Sequence, residues 1–200
     1  MTSPIDNSLA MQRRQRYIAS MSTPQLMTAD ELLHLKLPGK CTELIRGVLV
    51  VREPPGYQHG AITAALAYTL KSYVDANKLG CVLAAETGFK LSADPDTVRA
   101  ADISFVHRDR LPDPPPVGYS ALAPDLVVEV LSPSDRPGEV LAKIGDWLEA
   151  GCRLVWVVDP RRRHVRIYRA DGSETTIGEG DSLDGEEVLP GFSCPAATFL

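Results

Sequence analysis

Apolar and polar residues change their period several times along the chain, and each change marks an element. Residues 1–22 are polar and show no period, which predicts a disordered leader over 1–22 ahead of one domain over 23–200. Thr28-Ala-Asp-Glu31 reads as a helix start, with Thr28 as N-cap and Glu31 three residues on; the short helix stops before Pro38-Gly39. TELIRGVLVV gives two short strands hinged at Arg46-Gly47, and PPGY breaks the pattern. Ile62, Ala65, Leu66, Thr69, Tyr73 and Val74 then recur at helical spacing. They predict a helix from Tyr57 to Lys78, closed by Asn77-Lys78-Leu79-Gly80.

CVLAAETGFKL reads as one or two strands and VRAADISFV as another, with DPDT as the turn between them. LPDPPPVG, residues 111–118, holds too much proline for regular structure. PDLVVEVLSP carries a strand over 125–131. Glu139 to Gly151 is a second amphipathic helix with the stripe Val140, Leu141, Ile144, Trp147 and Leu148. RLVWVVDP is a buried-looking strand that pairs with HVRIYRA across Arg161–Arg163, and a tail of Gly- and Asp-rich turns ends in an apolar segment containing LPGF. No internal repeat is visible. Helices mixed with short strands and a closing hairpin predict an α/β or α+β fold, a mixed central sheet flanked by helices.

Composition narrows the class. The 200 residues are 44% hydrophobic and 24% charged, ordinary for a globular chain, and the net charge of −5 argues against a protein that coats nucleic acid non-specifically. Cys41, Cys81, Cys152 and Cys194 form no CxxC pair, so they read as reduced core thiols of a cytoplasmic protein rather than zinc ligands. No apolar run approaches the roughly 20 residues of a membrane span, and Arg13, Arg14 and Arg16 precede no signal-peptide core. There is no GxxxxGK[ST] loop, GxSxG elbow or HExxH helix, which counts against P-loop, serine-esterase and zincin chemistry.

The chemistry lies in misplaced charges. Glu129 sits inside a strongly apolar strand, where an unpaired carboxylate is costly. Asp102 occupies the same kind of position in RAADISFV, expected on one face with Ser104 and Val106. Glu43 stands in TELI, and Lys143 flanks the apolar stripe of the second helix. Two carboxylates on neighbouring strands make a hard oxygen site for Mg²⁺ or Mn²⁺, and a nearby lysine can position water or balance phosphate charge. Plainer readings stand beside these. Glu129 can pair with an arginine, Lys143 can snorkel at the helix margin, and Glu43 can form an exposed cross-strand pair with an arginine. His59 borders the site or caps the helix, with Tyr57 as a second loop anchor. Asp125 supports the site or caps. Arg161, Arg162, Arg163, His164, Arg166 and Arg169 form a basic cluster, read as a solvated hairpin turn rather than a phosphate-contacting edge. Trp147 and Trp156 read as core.

The stretches ELIRG (43–47), His59 at the start of a long helix, ADISFV (101–106), PDLVVEVLSPS (124–134), Lys143, WVVDP (156–160) and LPGF (189–192) resemble the Uma2 family of restriction-endonuclease-like proteins, within the PD-(D/E)XK nuclease superfamily. The likeness spans roughly residues 28–200. It implies a restriction-endonuclease-like mixed sheet, Asp102 and Glu129 as metal ligands, and Lys143 as the motif lysine. The superfamily lysine usually stands two residues after the second acid, where this chain has Leu131, so the role moves to Lys143; the motif proline is Ala101. The leading reading is a divalent-metal-dependent endonuclease acting on DNA, with Glu43 as a candidate to complete the metal shell; cutting both strands needs two sites, so a homodimer is the natural expectation. The alternatives are a catalytically silent nuclease-fold module that binds nucleic acid or a protein, and a small dimerisation protein with its acids in salt bridges.

Overall fold

A computed structural model describes residues 26–200. The reading of 1–22 as a leader lies outside them.

Helix α1 (Ala29–His34) begins with the capping box of its sequence: Thr28 accepts from the Glu31 N–H while the Glu31 carboxylate accepts from the Thr28 N–H. Strands β1 (Cys41–Ile45) and β2 (Val48–Arg52) form a hairpin whose two turn residues, Arg46 and Gly47, both have positive φ, the primed-turn geometry that suits twisted strands. Gly47 is also required sterically, because a Cβ there would meet Leu26 at 2.6 Å. Helix α2 (Tyr57–Asn77) buries Ile62, Leu66, Leu70 and Val74 and is closed by Lys78 in the left-handed conformation. Tyr73, expected on the buried stripe, is only partly buried and hydrogen-bonds the Pro190 carbonyl.

Strands β3 (Gly80–Ser92) and β4 (Thr97–His107) form a long antiparallel pair, and β5 (Leu126–Val130) follows the irregular proline-rich loop. Helix α3 (Pro137–Glu149) carries the chain from β5 to the parallel strand β6 (Leu154–Asp159). It buries Ile144 and Trp147 but leaves Leu141 exposed, outside the expected stripe. β7 (His164–Arg169) returns from the arginine turn. The tail adds an edge strand, β8 (Glu174–Gly178), and a small pair, β9 (Ser182–Asp184) with β10 (Ser193–Pro195). The sequence pattern shows only turns there, because β8 reads ETTIG and an edge strand needs little apolar content.

The eight-stranded sheet runs β2-β1-β4-β5-β6-β7-β8, with β3 on the other edge of β4. It is mixed, as expected: β5 and β6 are parallel and the other pairs antiparallel. One face packs on α2, joined by Trp156 and the tail residues Leu189 and Phe192; the other packs on α3. Cys152 and Cys194 are buried, whereas Cys41 and Cys81 are only half-buried, which corrects the reading of all four thiols as core. No described helix is long and apolar enough to cross a membrane.

The sheet is interrupted where β4 changes neighbours. β3 covers one edge of β4 along its length, so β1 and β5 must share the other. β1 reaches it at Val98 and β5 from Ile103 onward, which leaves residues 99–102 with no strand on that side. β3 bulges opposite the same point: Ala84 pairs with Ile103 and Thr87 with Ala101, so Ala85 and Glu86 both face Asp102 alone. Strict alternation fails here too. Ala101 packs with the α3 cluster, while Ile103 and Phe105 pack with the α2 cluster.

Candidate active site

The gap in the sheet gathers the charged residues. The β4–β5 register pairs Ile103 with Val128, and one step further sets Asp102 opposite Glu129. Asp102 Oδ2 accepts from the Val130 N–H at 2.7 Å and lies 3.1 Å from His59 Nε2 in the first turn of α2; Oδ1 accepts no hydrogen bond among the described residues. Glu129 is held from α3: Lys143 Nζ donates to Oε2 at 2.8 Å and the Trp147 indole N–H to Oε1 at 2.9 Å.

Side chains take over the hydrogen bonds that a strand would otherwise make at the gap. The Ala100 N–H donates to Glu43 Oε1 at 3.0 Å, and the Ala100 carbonyl accepts from Lys143 Nζ at 2.8 Å. The Lys143 ammonium thus donates to Glu129 and to the Ala100 carbonyl, and Glu43 Oε1 lies 3.2 Å away as a second ion-pair partner. The ammonium therefore points inward, not out to solvent.

Glu43 does face an arginine across the strands, since the Leu44–Val98 register places it opposite Arg99, 3.0 Å away. The pair is buried, however, not exposed: Glu43 is 4% and Arg99 2% exposed. Arg99 also grips Asp146 of α3 at 2.6–2.7 Å, so one guanidinium joins β1, β4 and α3. The sequence reading missed Arg99, Asp146 and the Trp147 bond. An arginine inside VRAADISFV was the available signal for the first.

Asp125 is not brought here. At the opposite end of β5, it pairs with Arg110 at 2.6 Å and accepts the His107 N–H. The basic cluster is largely spent on local partners: Arg163 on Glu179, Arg169 on Glu186, Arg162 on Asp159, Arg166 on the Tyr168 hydroxyl.

The gap opens into a cleft of about 610 Å³ that includes Glu43, His59, Asp102, Glu129 and Lys143 in its lining. Glu86, delivered by the bulge, also lines it and accepts from the Cys41 thiol at 3.2 Å; burial and this acid push Cys41 up to about 11. On the rim Arg52 ties Asp135 (3.2 Å) and Glu139 (3.6 Å) together, and its buried Nε has no hydrogen-bond partner among the described residues. Seven carboxylates line this cleft (Glu43, Glu53, Glu86, Asp102, Glu129, Asp135, Glu139) against the permanent cations Arg52, Arg136 and Lys143.

That imbalance shows in the ionisation. Burial pushes Glu129 up to about 7; Lys143 opposes this, while Asp102 and Glu43 reinforce it. Burial alone would lower Lys143, but Glu129, Glu43 and Asp102 outweigh it and hold the ammonium firmly charged. Burial likewise works against ionised Glu43, yet Lys143, Arg99, the Ala100 N–H and Arg52 keep its pKa below the usual glutamate value. His59 is drawn down by burial and up, by more, through Asp102, with Asp135 and Glu86 adding to it.

Among the described residues no three His, Cys, Asp or Glu side chains form a metal cage of their own. The donor set instead suits a cation such as Mg²⁺, which takes one or two carboxylates and completes its shell with water and phosphate. Asp102 and Glu129 would hold it, with the open Oδ1 of Asp102 and the excess negative charge of the cleft in its favour.

The fold is a large mixed sheet flanked by few helices. It is shared with a crystal structure described as a putative nuclease belonging to DUF820 from Anabaena variabilis ATCC 29413, at a TM-score of 0.77 and 22% identity, over 86% of this chain and 97% of that one. The chain belongs to the Uma2 family, whose model, described as "Putative restriction endonuclease", matches residues 29–197. Comparison with curated proteins gives no match. Family and fold together indicate a nuclease.

Proposed function

We propose that the protein is a divalent-metal-dependent endonuclease that hydrolyses phosphodiester bonds in DNA, in the cytoplasm and as a homodimer, since cutting both strands needs two sites. The observation that carries this is the pairing of Asp102 and Glu129 at the gap, in a cleft where seven carboxylates face three permanent cations. A cleft so charged repels a phosphodiester until cations enter it.

Asp102 and Glu129 hold Mg²⁺ or Mn²⁺. When bound, the cation supplies an acidified water and neutralises charge on the phosphate. Glu43 completes the anionic shell and keeps Lys143 in place. Lys143 gives up one of its protein acceptors to a phosphate oxygen and balances its charge. His59 fixes the Asp102 carboxylate and borders the scissile phosphate.

The test is cleavage of supercoiled plasmid with Mn²⁺ and Mg²⁺ by the natural protein, Glu129→Ala and Lys143→Ala. Cleavage by the natural protein and loss in both variants is the expected result. Undiminished cleavage by Glu129→Ala would remove it from the reaction. A natural protein that neither cleaves DNA nor is stabilised by Mn²⁺ would overturn the metal-nuclease reading in favour of the salt-bridged one.

A further inference from the structure

Lys143 and Trp147 stand four residues apart on one face of α3 and take one oxygen each of the Glu129 carboxylate. Their grips differ. The Lys143 ammonium is shared with Glu43 and the Ala100 carbonyl and can be redistributed among them. Trp147 cannot shift: it is fully buried and packs edge-on against Phe89, centroids 5.8 Å apart, in the cluster with Ala101, Val127 and Ile144. An indole has a single donor. Here it is aimed at a carboxylate in the candidate site.

Burying a tryptophan in this fold does not require such a bond. Trp156 is equally buried, and its N–H has no protein acceptor among the described residues. The Trp147 hydrogen bond is therefore specific to where Glu129 is placed.

We propose that Trp147 is a positioning residue: its N–H fixes the plane of the Glu129 carboxylate beside Asp102 and thereby sets the affinity of the site for a divalent cation. This rests on the reading of Glu129 as a cation ligand. Groups that orient a metal ligand typically contribute 10–100-fold to metal affinity.

The chain offers an unusually clean test, because Trp147 and Trp156 are its two tryptophans. Growth of a tryptophan auxotroph on β-(3-benzothienyl)alanine replaces each ring N–H by sulfur at nearly constant shape. Since the Trp156 N–H has no protein acceptor among the described residues, the one tryptophan–protein hydrogen bond lost among them is that to Glu129. Mn²⁺ binding to the full chain is read from the EPR signal of the free ion, with a thermal melt alongside. The substituted protein should bind Mn²⁺ about tenfold more weakly or worse. Trp147→Phe should weaken binding likewise, and Trp147→Tyr, which regains a donor, should recover part of it. Equal Mn²⁺ affinity in the substituted and natural proteins would overturn the proposal and leave Trp147 as core alone. A natural protein that binds no Mn²⁺ at millimolar concentration would instead overturn the reading of Glu129, and the proposal with it.

Discussion

Three carboxylates, Glu43, Asp102 and Glu129, surround one ammonium, and Glu129 bears most of the imbalance. Glu129→Gln removes the charge at nearly constant shape but leaves one oxygen for the two donors Lys143 and Trp147, a contact that offsets part of the relief from the buried charge. It should abolish cleavage and also stabilise the metal-free protein at pH 8, by on the order of 1 kcal/mol, or about 2–4 °C for a domain of this size. Melts in EDTA decide this; a lower melting temperature would mean that Lys143 fully compensates the acid. Lys143→Met should do the reverse. It leaves Glu129 Oε2 and the Ala100 carbonyl without their donor and the buried carboxylate without its ion-pair partner, at a cost of about 3–5 kcal/mol in urea unfolding. Loss of less than 1 kcal/mol would show that water replaces the ammonium. At this scale the sequence shows charges in the wrong place, so Asp102, Glu129 and Lys143 stand out against their apolar neighbours. It does not show Trp147, whose one polar atom is invisible in a hydropathy pattern, and it shows Arg99 only as a charge without its two partners.

Among the elements, the bulge in β3 has the clearest consequence. Ala85 and Glu86 have φ of 60° and 57°, a conformation that non-glycine residues occupy at a cost of roughly 1–2 kcal/mol each. Ala85 is exposed, so Ala85→Gly should raise stability by about 0.5–1 kcal/mol once the chain entropy of glycine is subtracted, with cleavage unchanged. A destabilised variant in denaturant titration would mean that the bulge carries no such strain. CVLAAETGFKL announced a strand, but nothing in AAET announces the bulge, since neither left-handed residue is glycine or asparagine. The α2 boundaries were legible because PPGY and Asn77-Lys78-Leu79-Gly80 punctuate the chain locally. The tail strands were not, because pairing with β7, rather than local pattern, makes β8 a strand.

For the molecule as a whole, the ionisable groups of the cleft set a pH dependence. Glu129 and His59 have raised pKa values, so each binds more protons folded than unfolded. Their contribution to stability is complete below the ordinary values, about 4.3 and 6.5, and is lost as pH rises through the folded ones, about 7 for Glu129. Glu43, lowered, contributes above the ordinary glutamate value and loses its contribution as pH falls through its folded one. The melting temperature in EDTA should therefore fall between pH 6 and pH 8, and saturating Mg²⁺ should flatten that fall by competing with protons. A profile indifferent to Mg²⁺ would count against a cation in the cleft. The sheet and its two helical layers follow from the periodicity of the sequence. The place where β1 and β5 fail to meet along β4 does not, because it depends on two separate long-range registers, Leu44 with Val98 and Ile103 with Val128.

That gap leaves one backbone amide in an unusual position. The Ala100 N–H is shielded not by a neighbouring strand but by the Glu43 carboxylate, itself tied to Lys143 and Arg99. Its exchange with deuterium should follow the protonation and loading of the cleft rather than the unfolding of the sheet. A single NMR cross-peak would then serve as a gauge of the chemistry, readable in an intact protein with no substrate at hand.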